Sequence, residues 1–377
     1  MTPIIIPAYE PDERLIELLA SMLPAEESAN EPAGTETASL QDAAHLGTAP
    51  GPVVIVDDGS GDAFREIFEK AALYVNKLGG AILTHEVNKG KGRALKTAFA
   101  YVLKTWPDAI GCVTADSDGQ HTAACIASVQ KALEANPDKL VLGVREFGGD
   151  DVPWKSRAGN TITVAVFDYV SGIRVTDTQT GLRGIPRAFM QELLDVRGER
   201  FEFETQMLLE SAGRYPILEV PIKTIYDSRD NHQTHFNAFR DSVKIYKILG
   251  ARFMKYIMAS LSSCVIDLAL FAIFCRLLKG KTAGYAAIAT VAARLISGTF
   301  NYYMNYKVVF ESDAGKRSSG ARYLILAIVQ MGLSAALVSG GIALLPDAPE
   351  VAVKIIVDTA LFLVSYKIQQ KYVFGRG

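Results

Sequence analysis

Four long apolar segments occupy the last third of the chain, at about residues 254–275, 283–305, 323–345 and 351–371. A helix needs roughly 20 predominantly apolar residues to cross a bilayer, and each segment approaches that length. A helix that is apolar all round has to be covered all round, by protein or by lipid. Residues 1–250 are different: short β-branched runs alternate with polar, helix-patterned stretches. The chain therefore reads as a soluble α/β part followed by a membrane part of four helices.

The charges flanking the apolar segments bear on topology. Lys307, Lys316, Arg317 and Arg322 fall between the second and third segments, and Lys371 and Arg376 follow the fourth. Basic residues stay on the cytoplasmic side, so both ends are expected inside. Arg276, Lys279 and Lys281 oppose this, because they fall in the first hairpin loop. The stretches "NYKVVF" (305–310) and "QQKYVF" (369–374) end the second and fourth segments alike, which suggests two matching helical hairpins. Asp267, Arg294 and Asp358 lie inside the segments. Ionisable groups there tend to pair, so Arg294 is expected to meet Asp267 or Asp358.

Just before the first segment, "FNAFRDSVKIYKILGARF" (236–253) repeats apolar or small residues on one helical face and carries Arg240, Lys244, Lys247 and Arg252. This predicts an interfacial helix over 236–252 on anionic lipid, with a helix of the soluble part as the alternative.

In the first part, "PIIIPAY", "PVVIVDDGSGD", "GAILTHEV", "AIGCVTADSDGQH" and "KLVLGVRE" read as five strands, with helices over roughly 12–23, 65–79 and 88–106. Residues 24–50 read as an inserted surface loop. Strands alternating with helices predict an open α/β sheet, whose ligands bind at the carboxyl ends of its strands. The opening "TPIIIPAYEPDE" reads as strand and loop rather than a signal peptide, so this part is expected in the cytoplasm.

Net charge is near zero, with 39 Lys plus Arg against 41 Asp plus Glu, which argues against nucleic acid as a partner. Four cysteines form no CxxC pair and read as buried thiols.

Polar motifs sit where strands end. Asp116 and Asp118 of "ADSDGQH" are alternate carboxylates at one strand end, with Gln120 near them. Hard divalent cations favour such oxygen ligands and often share them with substrate phosphates. Asp57 and Asp58 end another strand and can accept hydrogen bonds from a base or ribose. Lys89 and Lys91 lie among glycines before a helix, a place suited to an anion. Arg145, Lys155, Arg157 and Asn160 follow the fifth strand. Each feature alone is common; together they suggest a metal-bridged diphosphate site.

In order, "IIIPAYEPDE", "VDDGSGD", "NKGKGRAL", "ADSDGQH", "GVRE", "KSRAGN", "DTQTGLRG", "ERFEFETQML" and "VPIKTIYDSRDNHQTHF" resemble the family-2, GT-A-fold polyprenyl-phosphate glycosyltransferases, similar to dolichyl-phosphate mannose synthase. The membrane part resembles the GtrA-like family. The resemblance implies a GT-A catalytic domain over 1–235, a Rossmann-like open sheet, and a transmembrane domain of two hairpins over 253–377.

It also implies roles. Pro7, Ala8, Tyr9 and Glu10 would line the nucleotide base with Val56 and Asp58, although the family more often has Asn at the position of Glu10. Lys91 would join the nucleotide-sugar site. Asp116, Asp118 and Gln120 would hold Mg²⁺ or Mn²⁺. Arg145, Arg157 and Arg229 would grip the acceptor phosphate, with His235 in a closing loop where Thr234-His235-Phe236 replaces the usual Ser-His-Phe. Asp177 and Gln179 would sit near the sugar, and Glu202 and Glu204 on the acceptor side. For Asp177, a helix cap is the alternative.

The implied reaction is inverting transfer of a hexose from GDP-mannose or UDP-glucose to polyprenyl phosphate, with N-acetylhexosamine next in line. A phosphate acceptor is already largely ionised at neutral pH, so no strong general base is required. A processive polysaccharide synthase fits less well, because neither Trp106 nor Trp154 lies in a Q-x-x-R-W context. The alternative from another class is a glycolipid flippase or lipid-binding membrane protein. The oligomeric state is open, a homo-oligomer among the options.

Overall fold

In a computed structural model, residues 1–23, 50–145, 154–222, 238–281, 285–312, 314–345 and 349–375 are described. The expected inserted loop falls outside these residues except for Pro50. The chain divides into two units, Met1–Tyr246 and Lys247–Gly377.

The first unit is built on a seven-stranded sheet of order β3-β2-β1-β4-β6-β5-β7. Its strands are β1 (Ile4–Ala8), β2 (Val53–Asp57), β3 (Ala81–Thr84), β4 (Gly111–Thr114), β5 (Leu140–Arg145), β6 (Arg183–Pro186) and β7 (Ile217–Ile222). β1 pairs in parallel with β2 and β4, in the register Ile5↔Val54 and Ile5↔Thr114. Strands covered on both faces read as continuous apolar runs. Ile4, Ile5 and Ile6 and Val53 through Val56 are accordingly all buried.

The helices are α1 (Glu13–Ser21), α2 (Arg65–Lys77), α3 (Lys91–Thr105), α4 (Ala123–Ala135), α5 (Trp154–Ser171), α6 (Arg187–Leu193) and α7 (Glu202–Ser211). Local chemistry starts several of them. Asp12 caps α1 by accepting from the Arg14 backbone N–H at 3.0 Å. Thr122 caps α4 in the same way, accepting from Cys125 N at 3.2 Å. Core packing comes from one face of these helices, with Leu15, Leu19, Val75, Ile126, Val129 and Leu133 set against the sheet strands.

Two strands, β6 and β7, go beyond the five read from the sequence. β6 carries Arg, Gly and Pro, so its composition gives no strand signal. It enters antiparallel between β4 and β5, pairing Thr114↔Arg183 and Leu142↔Arg183. That inversion positions the site. The start of β6 lies beside the carboxyl end of β4, so the preceding loop, residues 177–181, comes to the sheet edge where Asp116 emerges.

The second unit holds most of α8 (Ala238–Leu278), then α9 (Tyr285–Met304), α10 (Lys316–Leu344) and α11 (Glu350–Ile368). α8 covers most of the expected interfacial helix and the first expected span as one helix. The side chains of 238–249 are outside the described residues. Two stretches, Gly250–Leu278 and Lys316–Leu344, are long and apolar enough to cross a bilayer. Many large apolar side chains point outward, among them Val265, Leu295, Ile325 and Met331.

The two matched stretches have the same local form. α9 runs into a π-helical turn at Asn305–Val309, and α11 into one at Gln369–Val373. Phe310 and Phe374, which end the two stretches, stack with centroids 5.1 Å apart. Arg294 meets Asp267, at 3.4 Å, while Asp358 pairs with Lys354 at 2.9 Å.

Candidate active site

A cavity of about 650 Å³ opens at the carboxyl ends of the parallel strands. It lies where β1 has β2 on one side and β4 on the other, the switch point at which open α/β sheets bind ligands. Pro7, Ala8, Tyr9, Asp58, Lys91, Asp116, Asp118, Arg145 and Gln179 all line it, as the sequence led us to expect.

The loop after β2 is built around Asp58. Its carboxyl group accepts from the backbone N–H groups of Lys89 and Gly90, at 2.9 and 2.7 Å, and from His85 Nδ1 at 2.7 Å. Asp58 thus ties the glycine loop to β2, and its oxygens are largely engaged within the protein. Val56 is fully buried within β2 and is absent from the cavity lining. Glu10 is exposed, with φ of +50°, and its backbone N–H donates to Ser60 Oγ at 2.9 Å. Its side chain bonds Tyr9, which with burial raises the Tyr9 phenol above its ordinary pKa. Val56 and Glu10, expected at the base, stand beside two lining residues: Val56 pairs with Pro7 in the sheet and Glu10 bonds Tyr9.

Gly90 opens α3 with φ of +101°. A Cβ there would sit 2.4 Å from the Glu199 carbonyl oxygen. The absent side chain lets the 199–201 loop lie on the start of α3, where Arg93 N donates to Glu199 O at 3.0 Å. This brings Arg200, Phe201 and Glu204 into the lining.

Lys91, the first residue of α3, then bridges two carboxylates: Asp116 Oδ1 at 2.6 Å and Glu204 Oε1 at 2.9 Å. Burial disfavours the Lys91 charge, but these carboxylates outweigh it and hold its pKa well above the ordinary lysine value. Burial likewise works against Asp116, and Lys91 wins there too, keeping its carboxyl well below the usual range. Among the described residues, no lysine or arginine pairs directly with Asp118. Burial first, and then the Asp116 charge, push its carboxyl up. Gln120 donates its backbone N–H to Asp118 Oδ1 at 3.1 Å, and its side chain is not in the lining.

Arg145, at the end of β5, grips Asp177 with Nε to Oδ2 at 2.7 Å and Nη2 to Oδ1 at 3.0 Å. Asp177 is fully buried and is absent from the lining of this cavity; it also accepts from Gln179 N at 3.1 Å. Asp177, expected beside the sugar, is held here by Arg145 and, within its own loop, by the Gln179 backbone. The same loop is pinned by Thr180 Oγ1 donating to Gly143 O at 2.6 Å and by Thr114 Oγ1 donating to Gly181 O at 2.8 Å. Beneath it lies Arg183, almost wholly buried, donating to the carbonyls of Thr180 and Glu204 at 2.8 and 2.7 Å. Glu202 stays out of the lining and accepts from the Glu199 and Arg200 N–H groups.

Sequence reasoning did not single out Arg200, Phe201, Thr178, Thr205 or Asn88, all of which line the cavity. The "ERFEFE" motif was the available signal, but nothing in it says which side chains face inward. The side chains of Lys155, Arg157 and Asn160, and residues Arg229, Thr234, His235 and Phe236, lie outside the described residues.

Among the described residues, no three His, Cys, Asp or Glu side chains converge as a metal cage. Mg²⁺ commonly takes one or two carboxylates plus substrate phosphates, and Asp116 with Asp118 is a set of that kind. Two local features fit a cation there. Asp118 is burdened by its carboxylate neighbour, and Gly181 leaves Asp116 room that a Cβ, 2.2 Å from Oδ2, would take.

Both parts of the chain match known families. The family description "Glycosyl transferase family 2" matches residues 42–195. A UDP-N-acetylglucosamine–dolichyl-phosphate N-acetylglucosaminyltransferase of Methanococcus voltae is 30% identical over 191 residues, 46% of this chain and 74% of that one. The chain belongs to glycosyl transferase family 2. The enzyme is a glycosyltransferase, and its residues 255–374 match the GtrA/DPMS transmembrane domain. A dolichyl-phosphate hexose transferase of Haloferax volcanii is 31% identical over 173 residues, 45% of this chain and 68% of that one. An uncharacterized protein of Methanocaldococcus jannaschii is 31% identical over 179 residues, 46% of this chain and 70% of that one.

Proposed function

We propose that this glycosyltransferase moves a hexose from a nucleotide-diphosphate sugar, GDP-mannose or UDP-glucose, to polyprenyl phosphate, inverting the anomeric centre. The product would serve cell-envelope or protein glycosylation. The observation that carries this reading is the cavity lining, which sets the carboxylates Asp116 and Asp118 among Lys91, Arg145 and Arg200. One wall can take a cation and a diphosphate, and the other cations can take a second phosphate. Two relatives are named for transfer to dolichyl phosphate, and the GtrA/DPMS match supplies a membrane domain for a lipid acceptor.

The residues divide the task. Tyr9 and Asp58 form the floor for the nucleoside, Asp58 through the loop it fixes. Gln179, held by Asp177, faces the sugar. Arg145 holds the acceptor phosphate at an angle set by Asp177, with Arg157, Arg229 and His235 proposed beside it. A bound Mg²⁺ or Mn²⁺, held by Asp116 and Asp118 with Gln120 as a further oxygen donor, would supply positive charge at the departing diphosphate. The acceptor phosphate is already an anion, so alignment and charge stabilisation suffice. In the second unit, all four helices α8–α11 are taken to span the membrane, with the catalytic unit and both chain ends in the cytoplasm.

The test is direct. Purified protein is incubated with Mn²⁺, polyprenyl phosphate and a panel of labelled nucleotide sugars that includes UDP-N-acetylglucosamine. One labelled lipid, lost with EDTA and in Asp118→Ala, is expected. Label from no donor, with a competent lipid acceptor, would reject the reading; label that survives both treatments would reject the metal.

A further inference from the structure

Lys91 sits directly on Asp116, a candidate metal ligand. Its ammonium is 2.6 Å from Asp116 Oδ1, so a divalent cation held by Asp116 would share that carboxylate with it. Like charges a few ångströms apart in a half-buried cavity repel strongly, because little water screens them. The two cations therefore compete. The second partner, Glu204 at 2.9 Å, comes from another element, α7, and neither the sequence motifs nor the geometry gives it a metal to bind. It offers the ammonium somewhere to remain. Lys91 itself cannot drift far, because Gly90 is tied to Asp58 and packed against the Glu199 backbone.

We infer that Lys91 is a displaceable countercharge: it neutralises Asp116 in the donor-free enzyme, yields that place to the divalent cation, and stays on Glu204 facing the donor's phosphates. The inference rests on the transfer reading above. It makes the cation and the nucleoside diphosphate bind cooperatively, since the diphosphate brings the negative charge that the displaced ammonium meets. Such coupling is reciprocal between the two ligands and commonly amounts to about 5- to 150-fold.

The experiment titrates full-length protein in detergent with Mn²⁺, following the free-ion electron paramagnetic resonance signal, with and without GDP or UDP. In the wild type, one of the nucleotides is expected to tighten Mn²⁺ binding by about tenfold or more. In Lys91→Met, Mn²⁺ alone is expected to bind about tenfold tighter than in wild type, while the help from nucleotide shrinks to about threefold or less. A residue that merely supports the fold would not tighten metal binding when removed. Lys91→Arg keeps the charge and is expected to keep the wild-type pattern. Should Lys91→Met fail to fold, Glu204→Gln serves instead: the ammonium is left on Asp116 alone, and Mn²⁺ without nucleotide binds more weakly.

Equal or weaker Mn²⁺ binding by folded Lys91→Met overturns the inference, as does unchanged binding by Glu204→Gln. Asp118→Asn separates the two levels of the argument. If it loses Mn²⁺ while Lys91→Met behaves as wild type, the countercharge role alone falls. If Asp118→Asn binds Mn²⁺ like wild type, the metal reading falls and takes this inference with it.

Discussion

Asn305 and Gln369 are the first residues of two matching stretches, and their side chains bond each other: Asn305 Nδ2 donates to Gln369 Oε1 at 3.0 Å. Both are almost completely buried. Asn305 Nδ2 also reaches Asn301 Oδ1 at 2.9 Å, and Gln369 Nε2 reaches Tyr256 OH at 3.1 Å. Hydrogen bonds between helices in a membrane domain are worth about 0.6 kcal/mol on average and seldom above about 1.7. Asn305→Leu removes one bond of this kind and the Asn301 bond within its own helical run, and it strands the Gln369 oxygen. We expect it to lower stability by about 1–2 kcal/mol, read as a fall in thermal midpoint in detergent. An unchanged midpoint would mean the pair contributes nothing to the fold.

The Arg145–Asp177 pair is predicted to be set for position. Asp177→Ala leaves a half-buried guanidinium without its two-point partner. Breaking such a buried pair costs about 3–5 kcal/mol, and the lower end applies because Arg145 can reach water. The catalytic effect should exceed that of a lost surface contact, since a misplacement of about 1 Å can cost about 100-fold. We expect kcat/KM for the lipid phosphate to fall about 10- to 100-fold, with donor binding little changed in a nucleotide titration. Loss confined to donor binding would place Asp177 back at the sugar.

Gly181 is expected to tolerate no side chain. The Cβ of alanine would lie 2.2 Å from one oxygen of Asp116 and 2.5 Å from the other, so the carboxylate has to move. Gly181→Ala should weaken Mn²⁺ binding by about tenfold while costing about 1–3 kcal/mol of stability, the usual range for overpacking. Calorimetric titration and a urea melt give both numbers. Wild-type Mn²⁺ affinity in the folded variant would show that Asp116 is not where the cation sits.

At Gly90 the backbone itself is the obstacle. A φ of +101° strains any other residue, and a Cβ there meets the Glu199 carbonyl at 2.4 Å. Strain of this kind costs about 1–3 kcal/mol. Gly90→Ala should raise the KM for the nucleotide sugar several-fold, because Asp58 and Lys91 both depend on this turn. A normal donor KM would mean that the glycine loop does not shape the donor site.

What could be read from the chain alone follows one physical rule. The central strands are buried on both faces, so "PIIIPAY" and "PVVIVDD" had to be continuous apolar runs, and the acids ending the second mark the carboxyl edge. The start of α3 was legible because a glycine turn precedes helix-patterned residues. The apolar segments after residue 250 were legible because lipid and protein cores leave no room for unpaired polar groups. Even the meeting of Arg294 with Asp267 was within reach, since an ion inside an apolar segment has few partners to choose from.

Tertiary structure decided the rest. β6 reads as anything but a strand, because "RGIP" takes its place from pairing with β4 and β5 rather than from its own composition. Its antiparallel entry is what sets Gly181 against Asp116. Lys91 and Glu204, or Arg145 and Asp177, are far apart in the chain, and no periodicity couples residues at such separations. The sequence supplied the acids, cations and apolar spans; which carboxylate each cation holds was settled by how the helices and the inverted strand pack around one cavity.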